Sequence, residues 1–169
     1  LIDVKCGIIM DVEASRAVRQ AEVGAAKTMI DRTADRFGLR PERLAGDTAY
    51  GSAEMLNWLV EERQIAPHIP VIDKSARRDG TFAREDFRYN HDSDTYTCPA
   101  GKTLVTSGTL VNDGTTLLYR GSTMDCGTCR FKGQCCPNTP ARKIPRSLHE
   151  GARDLARSLA GTPAFEQSR

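Results

Sequence analysis

Leu44-Ala45-Gly46-Asp47-Thr48-Ala49-Tyr50-Gly51-Ser52 is the stretch on which the reading of this chain turns. A short apolar run ends at Asp47, two glycines bracket a turn, and Ser52 stands where a helix N-cap belongs, ahead of Met55, Leu56, Leu59 and Val60. Strand, turn and helix in that order place the Asp47 carboxylate at the carboxyl end of a strand. That is the edge at which open α/β sheets display functional groups. An aspartate there serves equally as a turn residue or a helix cap.

Working outward, Ile2-Asp3-Val4 and residues 8–12 read as two short strands joined by a turn at Gly7. Ser15 is a candidate N-cap for a helix with Val18, Ala21, Ala25 and Met29 on its apolar face and Ile30, Ala34 and Phe37 alongside. Gly38 and Pro41 end it. Residues 67–72 read as a further strand, edge-like because prolines cannot donate to a ladder. The order β-β-α-β-α-β predicts a mixed sheet with helices on its faces over residues 1–72.

The character then changes. Residues 73–97 are polar, with Phe82, Phe87, Tyr89 and Tyr96 spaced among them, and strands are predicted at 102–106 and 115–119. From Ser147 onward, Leu148, Ala152, Leu155 and Leu159 restore a helical repeat. The expected organisation is an α/β core over 1–72, a Cys-rich insertion over 73–145, and a helix over 146–169 returning to the core. Beginning and ending without obvious start or stop signals, the chain reads as an internal piece.

A hydrophobic share of 39% with 27% charged residues is that of a soluble globular protein. No apolar run approaches the roughly 18 residues of a membrane span, and Leu1-Ile2-Asp3-Val4-Lys5 lacks the plan of a signal peptide. A cytoplasmic location, with no membrane partner, is expected. The net charge of +2 excludes a polyelectrolyte role for the whole chain, but residues 127–169 hold 8 Lys/Arg against 3 Asp/Glu. Arg142, Lys143 and Arg146 are the first candidates for contact with DNA phosphates. A solvated basic face is the plainer alternative.

Five of the six cysteines cluster: Cys98, Cys126, Cys129, Cys135 and Cys136. In Cys126-x-x-Cys129 two intervening residues let both sulfurs point at one ion, and Cys98-Pro99-Ala100-Gly101 reads as a turn-like knuckle. With Cys135, four thiolates suit tetrahedral structural Zn²⁺, and Cys136 is the alternate ligand. Free thiols, disulfides and a redox CxxC are the competing readings, the last two disfavoured by a reducing compartment and by the absence of a thioredoxin-like context.

Taken together, these motifs resemble the DDE-type transposases of bacterial insertion sequences, in the branch with a cysteine-rich insertion. Ala45-Gly46-Asp47-Thr48-Ala49-Tyr50-Gly51-Ser52 is similar to that family's phrase around its second catalytic aspartate. Phe87-Arg88-Tyr89-Asn90, then Asp94-Thr95-Tyr96-Thr97-Cys98-Pro99-Ala100-Gly101, then Tyr119, Cys126-Gly127-Thr128-Cys129 and Cys135 follow its insertion pattern in order. The resemblance implies a ribonuclease H-like core and Mg²⁺-dependent phosphoryl transfer on DNA, both transposon ends and target, by a homo-oligomeric enzyme. Asp47 would be one of three metal-binding carboxylates.

On this reading the family's first aspartate belongs upstream of Leu1 and its glutamate beyond the carboxyl end. Asp3, Asp11 and Glu166 do not replace them, so the chain by itself is expected to be inactive. The rival reading is a non-enzymatic zinc-knuckle module that binds nucleic acid or protein, or a transposase remnant. His68, His91 and His149 read as structural or exposed residues, Tyr50 as packing beside Asp47, and Trp58 as lying off its helix's main apolar face.

Overall fold

A computed structural model of the chain describes residues 1–16, 19–72, 77 and 79–168, with the backbone alone described for Arg19 and Gln20. The chain divides into two units, Leu1–Ile72 with Gly151–Arg169, and Asp73–Glu150. It is a mixed α/β structure whose largest sheet is a curled antiparallel one.

In the first unit β1 (Ile2–Asp3) and β2 (Ile8–Ile9) form an antiparallel hairpin around Gly7, whose positive φ suits a residue without a Cβ. The helix α1 (Arg19–Phe37) follows. Its buried side follows the expected one only in part. Ile30 and Thr33 are buried and Val23 and Ala26 pack against the core, whereas Phe37 is 57% exposed. Val18, expected to begin the apolar face, lies outside the described residues. Arg32 ties the helix to the segment after the hairpin through Asp11 (2.6 Å) and Glu13 (2.8 Å).

β3 (Arg43–Ala45) pairs in parallel with β4 (Ala66–His68), Leu44 opposite Pro67. Between them Ser52 caps α2 (Ala53–Asn57) by accepting from the Met55 amide, and a π-helical turn, Trp58–Glu62, continues it. Trp58 and Leu59, three and four residues on from Met55, share its face and join Met55 and Leu56 inside. Trp58 is therefore buried rather than off-face, with the Lys27 ammonium and Arg63 guanidinium against its ring. β4 is also more interior than its proline suggested, since Pro67, His68 and Ile69 are all buried.

The second unit is built on a five-stranded antiparallel sheet in sequential order, β5 (Arg88–Asn90), β6 (Thr95–Thr97), β7 (Thr103–Val111), β8 (Thr116–Arg120) and β9 (Lys143–Ser147). α3 (Thr123–Gly127) and α4 (Lys132–Cys135) lie in the β8–β9 connection. Alternation sends Tyr89, Tyr96, Leu104, Tyr119, Ile144 and Arg146 to the inner face. Tyr89 on β5 meets Tyr119 on β8, and Arg146 on β9 lies 3.7 Å over the Tyr89 ring, so the sheet curls until its outer strands meet across this face. A bulge between Thr106 and Leu110 permits the bend. Beyond the sheet, Glu150 is 1% exposed and is held by Arg84 at 2.7 Å.

The chain returns to the first unit through α5 (Glu150–Ala160) and α6 (Pro163–Gln167). α5 begins after Ser147, which belongs to β9, and it is Ala152 and Ala156 that enter the core, while Leu148 and Leu155 remain exposed. α6 brings Phe165 and Ser168 to His68, whose Nδ1 lies 2.8 Å from the Ser168 hydroxyl. Among the described residues no helix is long and apolar enough to cross a membrane.

The turn between β3 and α2 is held by close backbone approach. A Cβ on Gly51 would sit 2.0 Å from the Pro70 carbonyl oxygen, whereas one on Gly46 would sit 3.3 Å from the Tyr50 ring. Gly51→Ala is expected to destabilise the first unit by at least about 2 kcal/mol. Gly46→Ala, which meets a movable ring, should cost clearly less. Urea unfolding followed by Trp58 fluorescence measures both, and equal midpoints would contradict the contact.

Candidate functional site

Asp47 stands at the carboxyl end of β3 and its side chain is solvent-accessible. It caps the 3₁₀ turn Thr48–Tyr50, with Oδ1 accepting from the Ala49 amide at 2.7 Å. One carboxylate oxygen thus fixes the turn and Oδ2 remains available for a ligand. Tyr50 packs beside it, its hydroxyl pushed above the usual phenol range first by burial and then by the Glu22 and Asp47 charges. Gly46 donates to the His68 carbonyl, which aligns the end of β3 with β4. Asp47 therefore acts as a cap and is displayed at a strand's carboxyl edge. Glu166 is exposed on α6, and His68 is a buried packing residue whose imidazole is held below its ordinary value by burial.

The five clustered cysteines line one cavity of about 30 Å³ in the second unit. Cys98 comes from the β6–β7 turn, where Gly101 donates to the Cys98 carbonyl and the Lys102 amide donates to the Cys98 sulfur at 3.3 Å. Cys126 lies on α3, which Ser122 caps, and Cys129 in the turn beyond it. Cys135 ends α4 and Cys136 caps it. The Lys132 ammonium reaches the Cys136 sulfur at 3.5 Å. Gly121 gives Cys126 room, because a Cβ there would lie 3.0 Å from its sulfur. Burial raises the Cys126 thiol and, as the largest cause, pushes that of Cys135 up to about 11.

Among the described residues no three His, Cys, Asp or Glu side chains are already placed to hold a metal ion. The side chains lining the cavity are nonetheless of a kind that would suit a soft divalent ion. Several sulfurs face one space of ionic size, and amide and ammonium donors point at two of them. Holding such an ion would require the sulfurs to close on it.

Sequence reasoning missed a second arrangement. Asp94, in the β5–β6 turn with φ 49°, accepts from the Tyr119 hydroxyl and, at 2.6 Å, from that of Tyr89. Arg146 donates to the Tyr96 hydroxyl at 3.2 Å and covers Tyr89. The aromatic spacing signalled a core; nothing local signalled the guanidinium within it or the exposed turn carboxylate that accepts from its phenols.

The three basic residues singled out for phosphate contact separate. Arg142 is 8% exposed, donating to the Cys135 and Phe82 carbonyls at 2.8 and 2.9 Å, with its guanidinium over Phe87. Arg146 is equally buried, committed to the tyrosines. Both are interior braces, which uses the donors a phosphate would need. Lys143 alone points outward.

No family model, curated protein or solved structure matches the chain.

The Tyr119 and Tyr89 hydroxyls, in that order, hold the Asp94 carboxyl below the usual carboxylate range, against a smaller opposing effect of burial. A depressed folded value stabilises the fold above the unfolded pKa, near pH 4, and that stability is lost as pH falls through the folded value. Asp94→Asn is therefore expected to unfold at lower urea than the parent at neutral pH, with the gap closing as pH drops below about 4. A gap independent of pH would show that the carboxylate charge contributes nothing.

Proposed function

We propose that the chain is part of a DDE-type insertion-sequence transposase, with a ribonuclease H-like core and a zinc-stabilised insertion, acting on DNA by metal-dependent phosphoryl transfer. The observation that carries this reading is the display of Asp47. A carboxylate with one oxygen uncommitted stands at the carboxyl edge of a parallel β pair, where such enzymes need an oxygen ligand for Mg²⁺. When bound, paired Mg²⁺ ions would activate the attacking oxygen and stabilise the leaving one. The chain's own part is to fix Asp47 through the Ala49 amide and to hold the end of β3 through His68.

One carboxylate does not retain catalytic Mg²⁺, so the chain alone is expected to lack activity, and homo-oligomeric assembly belongs to the complete enzyme. In the second unit Cys98, Cys126, Cys129 and Cys135, with Cys136 as alternate, would supply a structural Zn²⁺ site. A second reading, a non-enzymatic zinc-knuckle module binding nucleic acid or protein, draws on one observation: the Cys-rich unit has its own core of Phe87, Tyr96, Leu104, Tyr119 and Ile144.

Elemental analysis of protein purified under reducing conditions without chelator is expected to give about one zinc per chain, lost in Cys126→Ser. Zinc-free protein with a folded second unit would remove the metal from the proposal. In the intact reading frame that carries this chain, Asp47→Asn, which preserves the cap, is expected to abolish DNA cleavage without lowering the melting temperature. Retained cleavage would leave only the module reading.

A further inference from the structure

The curl of the second unit's sheet leaves one face outward. The strand registers put Arg88, Thr97 and Thr103 in one transverse row, and Val105, Arg120 and Lys143 in its continuation. All six are exposed. The rest of that face in β5, β6, β8 and β9 is Asn90, Thr95, Thr116, Leu118, Pro145 and Ser147. It contains no carboxylate. The acidic residues near it lie in the turns: Asp94 accepts from the Tyr89 and Tyr119 hydroxyls, Asp92 and Asp113 are exposed at the β5–β6 and β7–β8 turns, and Asp125 on α3 is joined to Lys102 at 3.4 Å. Among the described residues, Arg88, Arg120 and Lys143 have no ion-pair partner. Arg120 and Lys143 are directly opposed on neighbouring strands, so two like charges lie side by side. Such a juxtaposition costs stability in isolation and is relieved by an anion.

We infer that this outer face, with Arg120 and Lys143 at its centre and Arg88 at its far edge, is a docking surface for the phosphate backbone of duplex DNA. The inference rests on the DNA-directed reading above. Charge complementarity selects the occupant: a convex, hydroxyl-rich, acid-free surface with adjacent cations suits a polyanion. No large aromatic side chain stands on this face for a base to stack upon, since Tyr89, Tyr96 and Tyr119 all turn inward. That disfavours single strands, which are usually gripped by stacking platforms. The contact is one of position rather than sequence. The strand ends that carry Arg120 and Lys143 are also those flanking the cysteine cavity, through the Gly121 amide bonded to the Arg142 carbonyl.

Fluorescence anisotropy of the 169-residue chain with a short labelled DNA duplex, at several salt concentrations, tests the surface. The double variant Arg120→Gln/Lys143→Gln is expected to bind at least about tenfold more weakly and to lower the log–log salt slope by about 1.8, or 0.9 per lost phosphate contact. Lys5→Gln/Arg40→Gln, an equal loss of charge from exposed positions of the first unit, is expected to leave both unchanged. Thermal melts confirm that the variants fold. If both pairs weaken binding equally, or neither does, the face is not the docking surface, while the DNA reading stands. Tighter binding of single strands or RNA by the same residues would overturn duplex DNA as the occupant. A parent chain that binds no duplex even at low salt would overturn the DNA reading itself.

Discussion

A buried phenol must find a hydrogen-bond partner, and the second unit turns on how three of them do so. Tyr119 is completely buried and Tyr96 nearly so, with Tyr89 between them. Asp94 accepts from two of these hydroxyls, and Arg146 donates to the third. An apolar interior would leave each hydroxyl unsatisfied at a cost of about 1–3 kcal/mol. The network draws β5, β8 and β9 around a common centre, so the curl of the sheet follows from it. Both the outward face and the convergence of strand ends at the cysteine cavity depend on that curl.

The first unit rests instead on an apolar core that small residues let the chain approach closely. Gly51 lets the turn after Asp47 meet the chain at Pro70, and Ala152 and Ala156 let α5 approach the core closely. The aspartate is thereby held on backbone rather than on a mobile loop. Its carboxylate caps the turn it belongs to, so the feature that holds the turn is the one available for chemistry. A cap and a metal ligand are compatible roles here, because they use different oxygens of one group.

Local signals were read well where they were local. Ser52 caps α2 as its position suggested, and the hairpin of β7 and β8 covers both strands expected from residue pattern. The misreadings share a physical origin. The Ala-rich repeat of α1 offers several faces of similar apolarity, and tertiary contact selects Ile30 over Phe37. Trp58 enters the core because it stands three residues after Met55 and shares its face, which widens the apolar side beyond Met55, Leu56, Leu59 and Val60. Lys143-Ile144-Pro145-Arg146-Ser147 reads as a basic loop, yet it alternates as a strand, with Arg146 inward on partners 50 and 57 residues away in sequence. The gathering of the cysteines was legible from the CxxC spacing and the Cys98 knuckle. Which sulfurs would close on an ion was not, because five thiols line the cavity and a tetrahedral ion would take four.

The alternation of β9 also bears on how the chain can change over evolutionary time. The cation on its outer side, the isoleucine on its inner side and the arginine beneath the tyrosines are set by residue parity alone. A single-residue insertion or deletion between Lys143 and Arg146 would exchange inside for outside for the remainder of the strand. It would bury the lysine or expel the arginine from the phenols. Length changes within this strand should therefore survive only in pairs, or beside a compensating bulge.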